Sequence, residues 1–219
     1  MKFRKKLISF FVGMFFCILG SAMEIKAGIG AGAFNAFALS FSNLIAIDIG
    51  FIIMVMNIVW MLLQLTVKRV PMKIWLRQIF LLLFGGFLLN FFVYTVMGNL
   101  VLPNYITRLL VMVSSSFIGA FGIVFILESK LIMLPLEGYC DLLSERYKRS
   151  TGFYRQMADV FFIVSVILLS LFAGLGLTIR EGTIIGALLF GPAINFWRKI
   201  VRKLLGLNKV LYTESRAES

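Results

Sequence analysis

Long uncharged apolar runs, separated by short polar and basic stretches, dominate the chain. These runs cover residues 7–23, 49–67, 78–97, 109–127, 160–179 and 182–197. Each approaches the roughly 20 apolar residues that a helix needs to cross a membrane. The pattern predicts an all-α polytopic membrane protein with six transmembrane helices. The end of the first run, Gly20-Ser21-Ala22, also fits a signal-peptide cleavage site, and cleavage there would remove the first span.

A further apolar stretch, 27–47, is not built like a spanning helix. Its first half reads Ala-Gly-Ile-Gly-Ala-Gly-Ala, and each glycine in a helix interior costs about 1 kcal/mol relative to alanine. Its second half, 34–44, has Phe and Leu at spacings that predict a short half-buried helix. Irregular backbone at membrane depth is tolerated where protein or a cavity surrounds it. The stretch is therefore expected to be re-entrant or interfacial, and the sequence leaves both alternatives open.

The placement of lysine and arginine supports six spans rather than seven. With the amino terminus inside, the basic groups within 2–6, 68–77, 130–155 and 198–216 all lie on the cytoplasmic face, opposed by Lys26, Arg108 and Arg180. A seventh span at 27–47 would move two of these groups to the other face. We predict a multi-pass protein of the bacterial inner (plasma) membrane with both termini cytoplasmic, and with 206–219 as a cytoplasmic tail.

Composition narrows the classes of function. A net charge of +12 would suggest nucleic acid in a soluble protein, but the mean hydropathy is +0.97 and the basic residues flank apolar runs. They predict contacts with the bilayer and its anionic lipids at the cytoplasmic face, and no nucleic-acid partner. Histidine is absent, and the two cysteines form no CxxC motif. No metal, cofactor or enzymatic activity is predicted, because no nucleophile–base set, P-loop or dinucleotide fingerprint is present.

Three landmarks recur at similar separations. Glu24-x-Lys26 returns as Glu128-x-Lys130 at an offset of 104, Gly50-Phe51 as Gly152-Phe153 at 102, and Phe84-Gly85 as Phe190-Gly191 at 106. These recurrences predict two three-helix repeats, about 7–105 and 106–205, within a single integral membrane domain, 1–219. An odd number of spans per repeat inverts one half, as in many secondary transporters. Each repeat is expected to carry a broken segment after its first helix.

Charged residues near the broken segments are the candidates for a site, because an ionisable group at a helix centre costs about 2.5–3.5 kcal/mol in the membrane. Glu24 with Lys26, and Glu128 with Lys130, could face a central cavity and hold a zwitterionic or anionic ligand, or exchange a proton with it. The alternative is that these side chains extend to the interface and anchor the helix ends.

Asp159, at the start of the predicted fifth span, is the strongest single candidate. It could cap that helix against its dipole. The alternative pairs Asp159 with Lys130 or Arg155 and places it near Glu137 and Asp141.

The link Arg180-Glu181-Gly182-Thr183 precedes the sixth span. Free N–H groups at the start of that helix could receive an anion. A plain turn with an interfacial Arg180–Glu181 pair is the alternative.

Several motifs resemble those of the YitT/YczE-type bacterial membrane proteins over nearly the whole chain. The family stretch A-G-L-G-x-S-P-W-D-x-L is matched in its glycines by residues 27–37, with Asn35 where the family has Asp. Pro135-Leu136-Glu137-Gly138 is similar to P-G-E-G, Asp159 matches an acid in the fifth span, and 180–183 matches R-E-G-T followed by Gly191-Pro192. The resemblance implies a six-span membrane protein and adds Asn35 and Glu137 to the candidates.

The leading hypothesis is a secondary transporter of a small polar or charged solute, working by alternating access between the two inverted repeats. Glu24, Glu128 or Asp159 are candidates for coupling to protons. A non-transporting membrane scaffold or accessory subunit is the alternative, and a membrane-embedded enzyme ranks third. The substrate is a small molecule that the sequence does not identify, and a homo-oligomer is compatible with the sequence.

Overall fold

The computed structural model describes residues 3–68, 72–131, 134–149, 151–173 and 180–205, which form eight α-helices and no strand. The helices are α1 (Phe3–Ala27), α2 (Ala33–Ile45), α3 (Ile49–Val67), α4 (Met72–Asn90), α5 (Tyr105–Ser129), α6 (Pro135–Tyr147), α7 (Thr151–Ala173) and α8 (Glu181–Leu204). A π-helical segment, Phe91–Val96, continues α4.

Six of these helices are long and apolar enough to cross a membrane: α1, α3, α4 with its π-helical continuation, α5, α7 and α8. The other two, α2 and α6, have 13 residues each. At 1.5 Å per residue each is about 20 Å long, which is too short for a hydrocarbon core of about 30 Å. The prediction of six spans is confirmed in length and composition, and the architecture is that of a multi-pass membrane protein.

The helix bounds agree with several predictions and correct one. The second span coincides with α3, and the predicted short helix at 34–44 is α2. The predicted fifth span corresponds to α7, which begins at Thr151 rather than at 160. The ion pair between Arg155 and Asp159, one turn apart, stabilises this polar first part of the helix. Residues 174–179 of the predicted span and the predicted tail at 206–219 lie outside the described residues.

The two long helices α1 and α5 pack tightly against each other through glycines. A Cβ atom placed on Gly20 would lie 2.7 Å from the Cα of Gly119, so the two backbones approach too closely for any side chain at position 20. Gly13 and Gly122 form a second such contact. Small residues of this kind allow close helix packing in membranes. Helix α4 packs against α1, and α8 packs against α5.

The two halves of the chain share a register of 102 residues. Helix α2 runs from 33 to 45 and α6 from 135 to 147, while α3 begins at 49 and α7 at 151. The left-handed backbone residues follow the same shift, with Gly28 matched by Lys130 and Ala46 by Lys148. The Glu-x-Lys pairs recur at a separation of 104, two residues more than the helix bounds, so Glu24 and Glu128 are not equivalent positions at this register.

Contacts between the halves are reciprocal at this register. The Phe37 ring in α2 lies 5.4 Å from the Phe162 ring in α7. The positions 102 residues away, Tyr139 in α6 and Trp60 in α3, have their ring centroids 5.5 Å apart. Helix α2 thus packs on α7, and α6 packs on α3.

Candidate functional site

A cavity of about 410 Å³ lies inside the bundle, and all eight helices of the described structure contribute to its wall. The lining is mainly apolar, with charged side chains in two places. The first polar group consists of Glu24 and Asn35 at the junction of α1 and α2. The second polar group consists of Arg155, Glu137 and Asp159, where α6 meets α7. A volume of this size suits a small ligand, and a mostly apolar wall with a few placed polar groups is typical of ligand sites.

Glu24 projects from the last turn of α1 to the start of α2. Its Oε1 accepts a hydrogen bond from the backbone N–H of Gly32 at 2.7 Å, and its Oε2 accepts one from Asn35 Nδ2 at 2.7 Å. Gly32 has no side chain to cap the helix, so Glu24 supplies the acceptor for the free N–H. The carboxylate also meets the positive end of the α2 dipole. Its contacts are therefore with Gly32 and Asn35, rather than with Lys26.

The first turn of α8 holds the irregular connection between α1 and α2. The N–H of Gly182 donates to Ile29 O at 2.8 Å, and Thr183 Oγ1 donates to Ala31 O at 2.8 Å. Gly30, with φ of 115°, passes so close that a Cβ there would lie 2.9 Å from Thr183 N. The N–H of Thr183 bonds to Arg180 O. The prediction that this helix end presents free N–H groups to an anion is wrong at Gly182 and Thr183, because backbone carbonyls already occupy them.

The second polar group is built around Arg155 on α7. Its guanidinium forms ion pairs with Asp159, one turn along the same helix, and with Glu137 Oε1 on α6 at 3.6 Å. The expectation that Asp159 pairs with Arg155 near Glu137 is confirmed. Burial raises the pKa of the Glu137 carboxyl above its ordinary value, although the positive charge of Arg155 opposes that shift.

Glu128, predicted to face the cavity, lies elsewhere. Its Oε1 accepts hydrogen bonds from Arg198 Nε at 3.1 Å and Arg202 Nε at 2.8 Å, and its side chain is only 5% exposed. This three-residue group joins the end of α5 to the last part of α8. Neighbouring Lys130 is exposed and adopts the left-handed conformation that ends α5.

The structure therefore brings part of the predicted set together. Five candidates line the cavity: Glu24, Asn35, Glu137, Asp159 and Thr183. Five others are not part of the lining: Lys26, Glu128, Lys130, Arg180 and Glu181.

Arg155 and Asn57, together with the hydroxyls of Ser21, Ser115 and Ser116, are polar residues of the lining that were not predicted as site residues. An acid four residues after Arg155 was a signal for that residue, and an amide near the middle of an apolar span was a signal for Asn57. At the 102-residue register, Asn35 and Asn57 correspond to Glu137 and Asp159. The first half thus carries amides where the second half carries acids.

Within the described ranges, no group of three or more His, Cys, Asp or Glu side chains is arranged to hold a metal ion.

Comparisons with known proteins give a family but no function. No curated protein and no solved structure matches the chain. A family profile matches residues 4–199, nearly the whole sequence, and its description is a family of unknown function, DUF6198. The chain therefore belongs to the DUF6198 family.

Proposed function

We propose that the protein is a secondary transporter of a small solute and that the cavity between its helices is the binding site. The cavity itself is the observation that carries the proposal. A packed interior with the charged residues at the lipid interface would favour a scaffold, whereas here Glu24, Glu137 and Asp159 all line one space. Ionisable groups at membrane depth are costly and are a functional hypothesis by default.

In this proposal the two halves are inverted repeats that rock against each other. The shared register of helix bounds supports the repeat, as do the reciprocal ring contacts of Phe37 with Phe162 and of Tyr139 with Trp60. In such transporters, broken helices commonly form the solute site near the bilayer midplane, at the interface between the repeats. The two breaks here, before α2 and before α6, each deliver residues to the cavity lining.

The proposed setting is a bacterial plasma membrane with both termini in the cytoplasm. The distribution of Lys and Arg between the two faces supports this orientation, and the same residues would contact anionic lipid headgroups. Membership of the YitT/YczE-type group is part of the proposal, supported by the glycine pattern at 27–37 and by the R-E-G-T match at 180–183.

A non-transporting scaffold or accessory subunit is the competing function. It requires no ligand in the cavity, whereas a transporter must bind its solute. A stability screen of the purified protein against metabolites separates the two, because a ligand that binds only the folded state raises the apparent melting temperature.

We expect at least one class of small metabolite to stabilise the wild type. Asp159→Asn, in the lining, should weaken that response by tenfold or more. Glu145→Gln serves as the matched control, because Glu145 is an exposed acid on α6 that pairs with Lys68 away from the cavity. Equal responses in both variants, or no stabilising ligand at all, would contradict a solute site here.

A further inference from the structure

Resting on the proposed function, we infer that the cavity selects an organic cation with an apolar body. The chain as a whole carries a formal charge of +12, yet the cavity lining has the opposite sign. Three carboxylates line it, those of Glu24, Glu137 and Asp159, and Arg155 is the one basic side chain in the described lining. A wall with this excess of acids attracts positive charge and repels negative charge.

Arg155 cannot reverse this preference, because its charge is already engaged. The guanidinium is ion-paired with both Asp159 and Glu137, so two acids face one base. An anionic ligand would have to displace one of them and would then lie beside the displaced carboxylate. Like charges held together in a medium of low dielectric constant repel strongly. An anion is therefore disfavoured at this end of the cavity.

At the junction of α1 and α2, the carboxylate of Glu24 can bind the positive charge of a ligand in the cavity. Both of its oxygens accept hydrogen bonds from neutral N–H donors, on Gly32 and Asn35, and no described Lys or Arg forms an ion pair with it. A carboxylate offers about four acceptor positions, of which two are used. Because Glu24 lines the cavity, an ammonium or guanidinium group of a ligand could donate to the two unused acceptor positions and neutralise the carboxylate.

The rest of the wall determines the body of the ligand. Apolar side chains from all eight helices surround the space, among them Ile18, Phe34, Leu82, Leu89, Ile123 and Phe190. A small hydrated inorganic ion would leave these surfaces unfilled. An alkyl or aryl group attached to the cationic head would cover them, and each added methylene should tighten binding by about fourfold.

The test uses hexylammonium, whose N–H groups can donate to Glu24, with hexanesulfonate as the anion of matched chain and hexanol as the neutral compound. Each is added to the purified full-length protein in lipid nanodiscs, below its micellar concentration, and the melting temperature is recorded. We expect stabilisation by the cation at concentrations at least tenfold lower than by the other two compounds. Butylammonium should bind about 16-fold more weakly than hexylammonium, at fourfold for each of two methylenes.

Substitutions of the lining acids test whether the cation binds in the cavity. Glu24→Gln and Asp159→Asn each remove one acid from the lining, and each should raise the half-saturating cation concentration by tenfold or more. Glu145→Gln should leave it unchanged. If Glu24→Gln does not fold, Asp159→Asn and the three-compound series on the wild type still decide the question.

Equal or stronger stabilisation by hexanesulfonate, or no stabilisation by any of the three, would overturn the cation assignment. Neither result by itself removes the transporter proposal, which is tested separately by access to the cavity from the two sides of the membrane.

Discussion

The side-chain amide of Asn35 donates a 2.7 Å hydrogen bond to the carboxylate of Glu24, eleven residues earlier in the chain. Together with the N–H of Gly32, it ties the end of α1 to the first turn of α2 across a glycine-rich link that has little structure of its own. Glu24 thus has two roles: it stabilises the broken segment and supplies a carboxylate to the cavity wall.

Replacing Glu24 should therefore reduce stability as well as ligand binding. A hydrogen bond to a charged group contributes about 1.5–3 kcal/mol, so Glu24→Ala should lower the free energy of unfolding by at least about 2 kcal/mol. Glu24→Gln keeps one acceptor oxygen and should cost less. Lys26→Ala, two residues away and outside the cavity lining, is the control and should change stability by about 0.5 kcal/mol or less. Similar losses for Glu24→Ala and Lys26→Ala in equilibrium unfolding would show that these hydrogen bonds are unimportant.

The irregular stretch at 27–47 could be predicted from the sequence, but the hydrogen-bond partners of Glu24 and Glu128 could not. Glycine spacing and charge placement were enough to predict that 27–47 does not span, and that a short helix follows the glycines. The contact of Glu24 with Asn35 was not predicted, because the nearby Lys26 suggested a local pair of opposite charges. Residues two apart on a helix, however, do not face each other. The partners of Glu128, which lie 70 and 74 residues away on α8, leave no local signal at all.

The close contact between α1 and α5 gives an asymmetric prediction. A Cβ at Gly20 would lie 2.7 Å from Gly119 Cα, whereas a Cβ at Gly119 would meet Gly20 Cα at 3.9 Å and Phe190 Cε2 at 3.5 Å. Gly20→Ala should therefore force the helices apart and cost about 1–3 kcal/mol or more, while Gly119→Ala is tolerated. Melting temperatures of the two purified variants check this. A larger loss for Gly119→Ala than for Gly20→Ala would contradict the described packing.

Glu128 is predicted to stabilise the fold through its two arginines. Removing a buried carboxylate leaves Arg198 and Arg202 without their acceptor, and Glu128→Ala should cost about 1–3 kcal/mol. The matched comparison is Glu145→Ala, which breaks an exposed 3.5 Å pair with Lys68 and should cost less than about 1 kcal/mol. Unfolding free energies for the two variants in one detergent give the comparison. Equal costs would mean that the buried group contributes no more than a surface pair.

Cys140 on α6 should resist thiol reagents in the folded protein. Burial raises its pKa to about 11, with Arg155 opposing the shift and with Glu137 and Asp159 adding to it. Because the thiolate is the reactive form, very little of it is present at pH 8. Labelling should therefore require denaturant, with mass spectrometry as the readout. Rapid modification of Cys140 in the native protein at pH 8 would contradict its buried position.

Cys140 matters for the design of accessibility experiments, since an unreactive native thiol can remain in place. Cys17, which lines the cavity, must be replaced. Two positions on α5 then form a matched pair. Ser116 lines the cavity, while Met112, one turn earlier, is fully buried and is not part of the lining.

The most direct measurement is the labelling of Ser116→Cys by a small membrane-impermeant methanethiosulfonate, in intact cells and in inside-out vesicles. Alternating access predicts that this position is modified from both sides, while Met112→Cys is modified from neither. Labelling of Ser116→Cys from one side alone, or from neither side, would contradict a cavity that opens alternately across the membrane.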